Sequence, residues 1–204
     1  MNTSDGVGAR VVQTAGPVLI IGSGLLGASL GLALRAGGVR VYLDDASPTS
    51  LRLASDVGAG QAFGDVLAEA GVRPSECGSD TPSYQAPSIV VVATPPDVAD
   101  RVIVESLLRF PDAIVTDVAS VKDAVVADVL RGLEREGRLE EASRYVGSHP
   151  MAGRERSGAG AADADLFYGR PWVIVAHEST WPRAALVARA LATDVGAVPL
   201  EMNA

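Results

Sequence analysis

The chain has 204 residues, which suits one domain of generous size rather than two full ones, and at 48% apolar and 21% charged residues it can bury a core. Aromatic residues at 4% and a net charge of −8, from 17 Lys and Arg against 25 Asp and Glu, exclude a stacking platform for single strands and a phosphate-backbone binder, so no nucleic-acid partner is expected. The single cysteine, Cys77, excludes an internal disulfide and a cysteine-based zinc cluster, as a reducing cytoplasm permits, and no metal site is expected.

Residues 1–16 are polar and without period and read as a flexible leader, leaving 17–204 as one domain. The stretch from Val11 to Leu34 carries no charge and resembles a membrane span. Yet Val18-Leu19-Ile20-Ile21 is a β-type run stopped by glycine, so strand, tight turn and buried helix explain it better and no membrane partner is expected. Pro17 to Ile21 reads as a strand, Leu25 to Ala36 as a helix, Val39 to Leu43 as a second strand, and Pro48 to Asp56 as a helix capped by Ser47. Val66 to Ala70 suits a helical turn, and Gly71 to Ala86 is a Gly/Pro/Ser/Asp mixture expected to be a loop. Ser88 to Ala93 is a continuous apolar run, the mark of a strand covered on both faces. Helix is expected at 97–110, 121–136 and 181–195, and extended chain at 113–118, 145–147, 171–176 and 197–200. Strands alternating with helix-length segments predict an α/β fold, a Rossmann-like, mostly parallel doubly wound sheet flanked by helices.

Gly22-Ser23-Gly24-Leu25-Leu26-Gly27 is a G-x-G-x-x-G between the first strand and the first helix. Glycine there permits the tight turn, lets the backbone approach a pyrophosphate, and allows the helix to pack closely, while the helix N-terminus meets the negative charge. Asp44 and Asp45 end the second strand, about 20 residues after the turn, where a carboxylate can bind a ribose 2′-hydroxyl. Asp45 is the expected ligand and Asp44 a solvated strand end. Ala46-Ser47-Pro48-Thr49 offers no cation for a 2′-phosphate, which favours NAD over NADP.

Ala93-Thr94-Pro95-Pro96 ends a buried strand, so Thr94 and Pro95 are expected to line the nicotinamide side of the crevice, though an ordinary turn before a helix explains them too. Ser120, in Thr116-Asp117-Val118-Ala119-Ser120-Val121-Lys122, also suits a helix N-cap. His149 lies in Gly147-Ser148-His149-Pro150-Met151-Ala152-Gly153, expected to be a bent loop, where a neutral imidazole can accept a proton. His177 reads as a strand-end residue.

Together these segments resemble the prephenate dehydrogenase family of tyrosine biosynthesis, from about Pro17 to the end of the chain. The glycine turn is common to many oxidoreductases; the serine-valine-lysine and histidine-proline-x-alanine-glycine segments are much more specific. The resemblance implies NAD-dependent oxidative decarboxylation of prephenate, or of its transaminated relative arogenate. It implies His149 as the catalytic base for the ring hydroxyl, Ser120 as its hydrogen-bonding partner, and Glu155 near the substrate entrance. It implies a homodimeric, cytoplasmic full-length enzyme whose C-terminal all-helical dimerisation domain is absent from this chain, so that the fragment alone is expected to be inactive. The glycine turn alone is also compatible with a hydroxyacid-type NAD(P) oxidoreductase or a non-catalytic NAD-sensing module.

Overall fold

Branched apolar runs form the strands of one sheet. The computed structural model describes residues 12–155 and 157–203. Its strands are β1 (Val18–Ile21), β2 (Val41–Asp44), β3 (Gln61–Ala62), β4 (Ile89–Val92), β5 (Ile114–Asp117), β6 (Tyr145–Pro150), β7 (Pro171–Ala176) and β8 (Val198–Asn203). They lie in the order β3-β2-β1-β4-β5-β6-β7-β8, and every neighbouring pair is parallel except β6–β7. The helices are α1 (Leu25–Ala36), α2 (Pro48–Asp56), α3 (Phe63–Ala70), α4 (Pro96–Arg109), α5 (Lys122–Arg135) and α6 (Pro182–Asp194).

Successive strand residues point to opposite sides, so the sheet builds two cores. On the first side α1, α2 and α6 pack on Val18, Ile20, Leu43, Val91, Val146 and Trp172. On the second, α3, α4 and α5 pack on Leu19, Tyr42, Val90, Val115 and Tyr145. Because Tyr145 faces the second side, Gly147 and His149 on the same strand face it too. The chain leaves β1 toward β2 and β3, then returns to β4 on the other flank. This reversal opens a crevice at the carboxyl ends of β1 and β4.

Several expectations change. His149 and Pro150 belong to β6 rather than to a bent loop, with His149 opposite Val173 and Pro150 opposite Trp172. Beyond Val146 the strand no longer pairs with β5, and a proline is tolerated where one side of a strand is free. The 71–86 segment is not a plain loop: Cys77 and Tyr84 are buried in it, and Tyr84 Oη donates to the Cys77 carbonyl at 2.7 Å. The flexible leader was expected over 1–16. Residues 1–11 lie outside the described residues, while the backbone N–H groups of Gln13 and Thr14 donate to the buried Asp194 carboxylate at 2.9 and 2.6 Å. No helix of the described residues is long and apolar enough to cross a membrane.

One buried cation holds the second core together. The Arg144 guanidinium donates to the carbonyls of Phe110 at 2.9 Å, Ala113 at 2.8 Å and Leu107 at 2.5 Å, and to Glu141. Leu107 and Phe110 stand at the end of α4, where carbonyls lack helical partners. Arg144→Met is expected to leave the Leu107 and Ala113 carbonyls unpaired, while the Phe110 carbonyl keeps the Ala113 N–H at 3.1 Å, and to lower stability by about 2–4 kcal/mol. Urea unfolding checks this: the midpoint should fall with the slope unchanged.

Candidate functional site

The glycine turn fills the crevice mouth, and its three glycines do different work. Gly22 has φ +106° and lies against the next strand end: a Cβ there would overlap the Ala93 carbonyl and stand 2.9 Å from the Thr94 nitrogen. Gly27 lies against the Gly22 carbonyl, which fixes how closely α1 approaches β1. At Gly24 a Cβ would meet nothing within 4 Å, so open space stands over the turn. The N-terminus of α1 points at that space with no side-chain cap and no acidic residue in its first turn. Leu25 and Leu26 are half-buried and anchor the first turn to the core of the first side.

Asp45 reaches back over the same turn. Its carboxylate accepts from the backbone N–H of Ser23 at 2.6 Å and of Ser47 at 2.7 Å. Each oxygen keeps a further lone pair for a ligand hydroxyl. Two buried hydroxyls, Ser23 Oγ and Thr94 Oγ1, have no partner. Both hydroxyls are thus free to bond a ligand at the crevice. Pro95 is exposed as the N-cap residue of α4. An open space, an uncapped helix end, a strand-end carboxylate and two unpaired hydroxyls fit a dinucleotide.

A second cluster lies at the carboxyl end of β5 and along β6. The Asp117 carboxylate, fully buried, accepts from the Ala119 N–H at 2.8 Å, from Tyr145 Oη at 2.7 Å and from Lys122 Nζ. Its carbonyl accepts from Ser148 Oγ at 2.6 Å, tying the β5–α5 turn to β6. Burial pushes the Tyr145 phenol well above its usual pKa, and the neighbouring Asp117 charge adds to that. Next to Ser148, His149 is half-buried, and its Nδ1 is buried without a partner. Ser120 is exposed in the turn. The N-cap residue of α5 is Val121, with no side-chain capping bond, so the capping explanation of Ser120 does not hold.

Glu155 stands apart from this cluster. It is exposed on the loop after β6, lining a cavity of about 420 Å³ with Arg154, Gly160, Ala161 and Ala162, and Arg154 pairs with Asp163. His177 packs beside Tyr145, ring centroids 6.0 Å apart, and burial holds its pKa below the usual value. Among the described residues no group of three or more His, Cys, Asp or Glu is arranged to hold a metal ion. Asp117 and Tyr145 carry no role in the sequence reading, and Lys122 enters it only within the serine-valine-lysine segment. For Asp117 the local signal is a carboxylate that ends the β-type run Ile114-Val115-Thr116.

Residues 30–200 match the family model described as prephenate dehydrogenase, nucleotide-binding domain. The chain belongs to the prephenate dehydrogenase family. The match begins after the glycine turn, which the geometry of Gly22, Gly24 and Gly27 supplies independently. NovF of Streptomyces niveus, a probable prephenate dehydrogenase, is 38% identical over 186 residues, covering 91% of this chain and 45% of that protein. Prephenate dehydrogenase of Bacillus subtilis is 26% identical over 196 residues, covering 94% and 47%. Among solved structures, prephenate dehydrogenase from A. aeolicus in complex with hydroxyphenyl propionate and NAD+ superposes with a TM-score of 0.72 at 27% identity, covering 91% of this chain and 59% of that one. This prephenate dehydrogenase family domain thus spans about half the length of the curated relatives it matches.

Proposed function

We propose that this domain binds NAD in the crevice between β1 and β4, and that the enzyme it serves oxidises prephenate to 4-hydroxyphenylpyruvate with loss of carbon dioxide. The observation that carries the reading is the pairing of an open glycine turn, flanked by the orphaned Ser23 and Thr94 hydroxyls, with an unpartnered, half-buried His149 on the same edge of the sheet. Gly22, Ser23, Gly24, Leu25, Leu26 and Gly27 cradle the pyrophosphate, Asp45 takes the ribose hydroxyls, and Thr94 and Pro95 line the nicotinamide side. Bound NAD supplies the hydride acceptor. His149 takes the ring-hydroxyl proton as hydride leaves the same carbon, and Ser120 hydrogen-bonds that hydroxyl. The resulting dienone loses its ring carboxylate as carbon dioxide, and the oxygen takes a proton back as the ring becomes aromatic. Glu155 shapes the substrate entrance from the loop after β6. A module that only sensed NAD would have no use for a base at His149.

The cofactor half of the reading is tested by titrating NAD and NADP against the wild type and Asp45→Asn. NAD is expected to bind more tightly than NADP, and the variant to lose about 1–3 kcal/mol toward NAD through a missing charged acceptor. A clear NADP preference would overturn the assignment of Asp45.

The substrate half reaches beyond this chain. Val198, Leu200 and Met202 of β8 stand 49%, 46% and 57% exposed, and their register through Val173 places them on the same side as His149. Arg154 is engaged by Asp163, and two substrate carboxylates need paired cations in a closed pocket. The 204-residue chain alone is therefore expected to bind NAD and to turn over little or no prephenate. Steady-state assays at saturating NAD, on this chain and on a longer one, check this; full activity from the short chain would make the substrate site local. The same reading includes a homodimeric full-length enzyme in the cytoplasm, which agrees with the unpaired thiol of buried Cys77.

A further inference from the structure

Lys122 opens α5, yet its side chain is only 9% exposed and its ammonium is spent on Asp117. Its stem crosses the face of β6 at Gly147: a Cβ at that glycine would stand 3.3 Å from Lys122 Cδ and 3.6 Å from Tyr145 Oη. Residues 145, 147 and 149 share one side of the strand. Lys122 therefore occupies the slot that glycine leaves between Tyr145 and His149. The same Asp117 oxygen that holds Lys122 also holds the Ala119 amide, so the turn bearing Ser120 is clamped on both sides by one carboxylate.

Burying an ammonium is costly. Burial holds the Lys122 pKa below its ordinary value while Asp117 opposes that shift. Apolar side chains of similar volume commonly stabilise as well as a buried ion pair does, but they carry no directional bonds. Here the directional bonds run from β5 to the Ser120 turn, to α5, and to the strand that carries His149.

The geometry points to Asp117, Lys122 and Tyr145 as a positioning group that fixes Ser120 and His149 relative to each other for removal of the substrate's hydroxyl proton. The inference rests on the proposed function for its chemistry and on the contacts above for its geometry. None of the three is assigned to touch the substrate.

The test uses Tyr145→Phe, which removes one hydrogen bond and keeps the ring, together with Lys122→Met and Lys122→Arg. In the active full-length enzyme, Tyr145→Phe is expected to leave NAD affinity within about twofold and to lower kcat by about ten- to a hundredfold with KM for prephenate little changed. Lys122→Arg should recover part of the activity that Lys122→Met loses. The 204-residue chain has two histidines, so NMR of its imidazole carbon-bound protons, recorded on this chain rather than on the longer enzyme, gives two sets of signals. Those of His149 should shift or broaden in Tyr145→Phe and in Lys122→Arg, without NAD or substrate present. A lower melting temperature with wild-type kcat and unmoved His149 signals would reduce the group to a structural brace and overturn the inference. If the wild-type enzyme does not oxidise prephenate, the function reading fails, and the imidazole spectra alone decide the positioning role: moved signals support it and unmoved ones sink it.

Discussion

His149→Asn in an active enzyme carrying this domain is expected to lower kcat by about 10²–10⁴-fold, the range for loss of a general base, while NAD affinity stays near wild type. The two effects separate because the residues sit on different strands. The nucleotide residues lie at the ends of β1, β2 and β4, whereas His149 lies on β6, beyond β5. Asparagine keeps a polar group of similar reach and disturbs the β6–β7 pairing little, since the pairing uses backbone atoms. Stopped-flow and steady-state rates, with parallel NAD titrations, check both parts. Near-normal turnover in the variant would return His149 to a residue that merely fills the strand.

The parts of this site legible in the sequence are the local ones. The glycine turn needs only the order strand, turn, helix within Val18–Ala36, and backbone sterics act over neighbouring residues. Asp45 follows from the same logic, since the second strand must end near the turn. What the sequence hides are pairings between distant residues. Tyr145 reaches Asp117 across 28 positions, and Arg144 reaches the end of α4 across 34, through a fold that no local pattern announces. Asp194 reads as an ordinary helix-end acid until the backbone of Gln13 and Thr14 is found on it. The 71–86 segment misleads for another reason. Its composition lacks a period, yet Tyr84 stacks on Tyr42 at 6.3 Å and draws the segment into the second core. His149 appeared loop-borne because Pro150 and nearby glycines signal a bend; the free side of β6 beyond Val146 removes that constraint.

Three alanine substitutions in one turn are expected to separate folding from binding. Gly27→Ala drives a methyl group into the Gly22 carbonyl, and backbone cannot swing aside as a flexible side chain can. Gly22→Ala meets the Ala93 carbonyl and must also hold φ +106°, which L side chains rarely adopt. Both should therefore cost about 2–4 kcal/mol of stability, the sum of overpacking and backbone strain, and should weaken NAD binding as a consequence. Gly24→Ala differs on both counts. Its φ of −72° suits alanine, and nothing lies within 4 Å of the new methyl group, so stability should stay within about 1 kcal/mol of wild type. The methyl group stands in the open space before the uncapped end of α1, where the proposed pyrophosphate approaches the backbone, so NAD affinity should fall at least about tenfold, or about 1.4 kcal/mol. Urea melts and calorimetric NAD titrations on the three variants give the two readouts. A stable Gly24→Ala protein that binds NAD as well as wild type would show that the space over the turn is not where the cofactor lies, and would move the nucleotide site elsewhere along the carboxyl edge of the sheet.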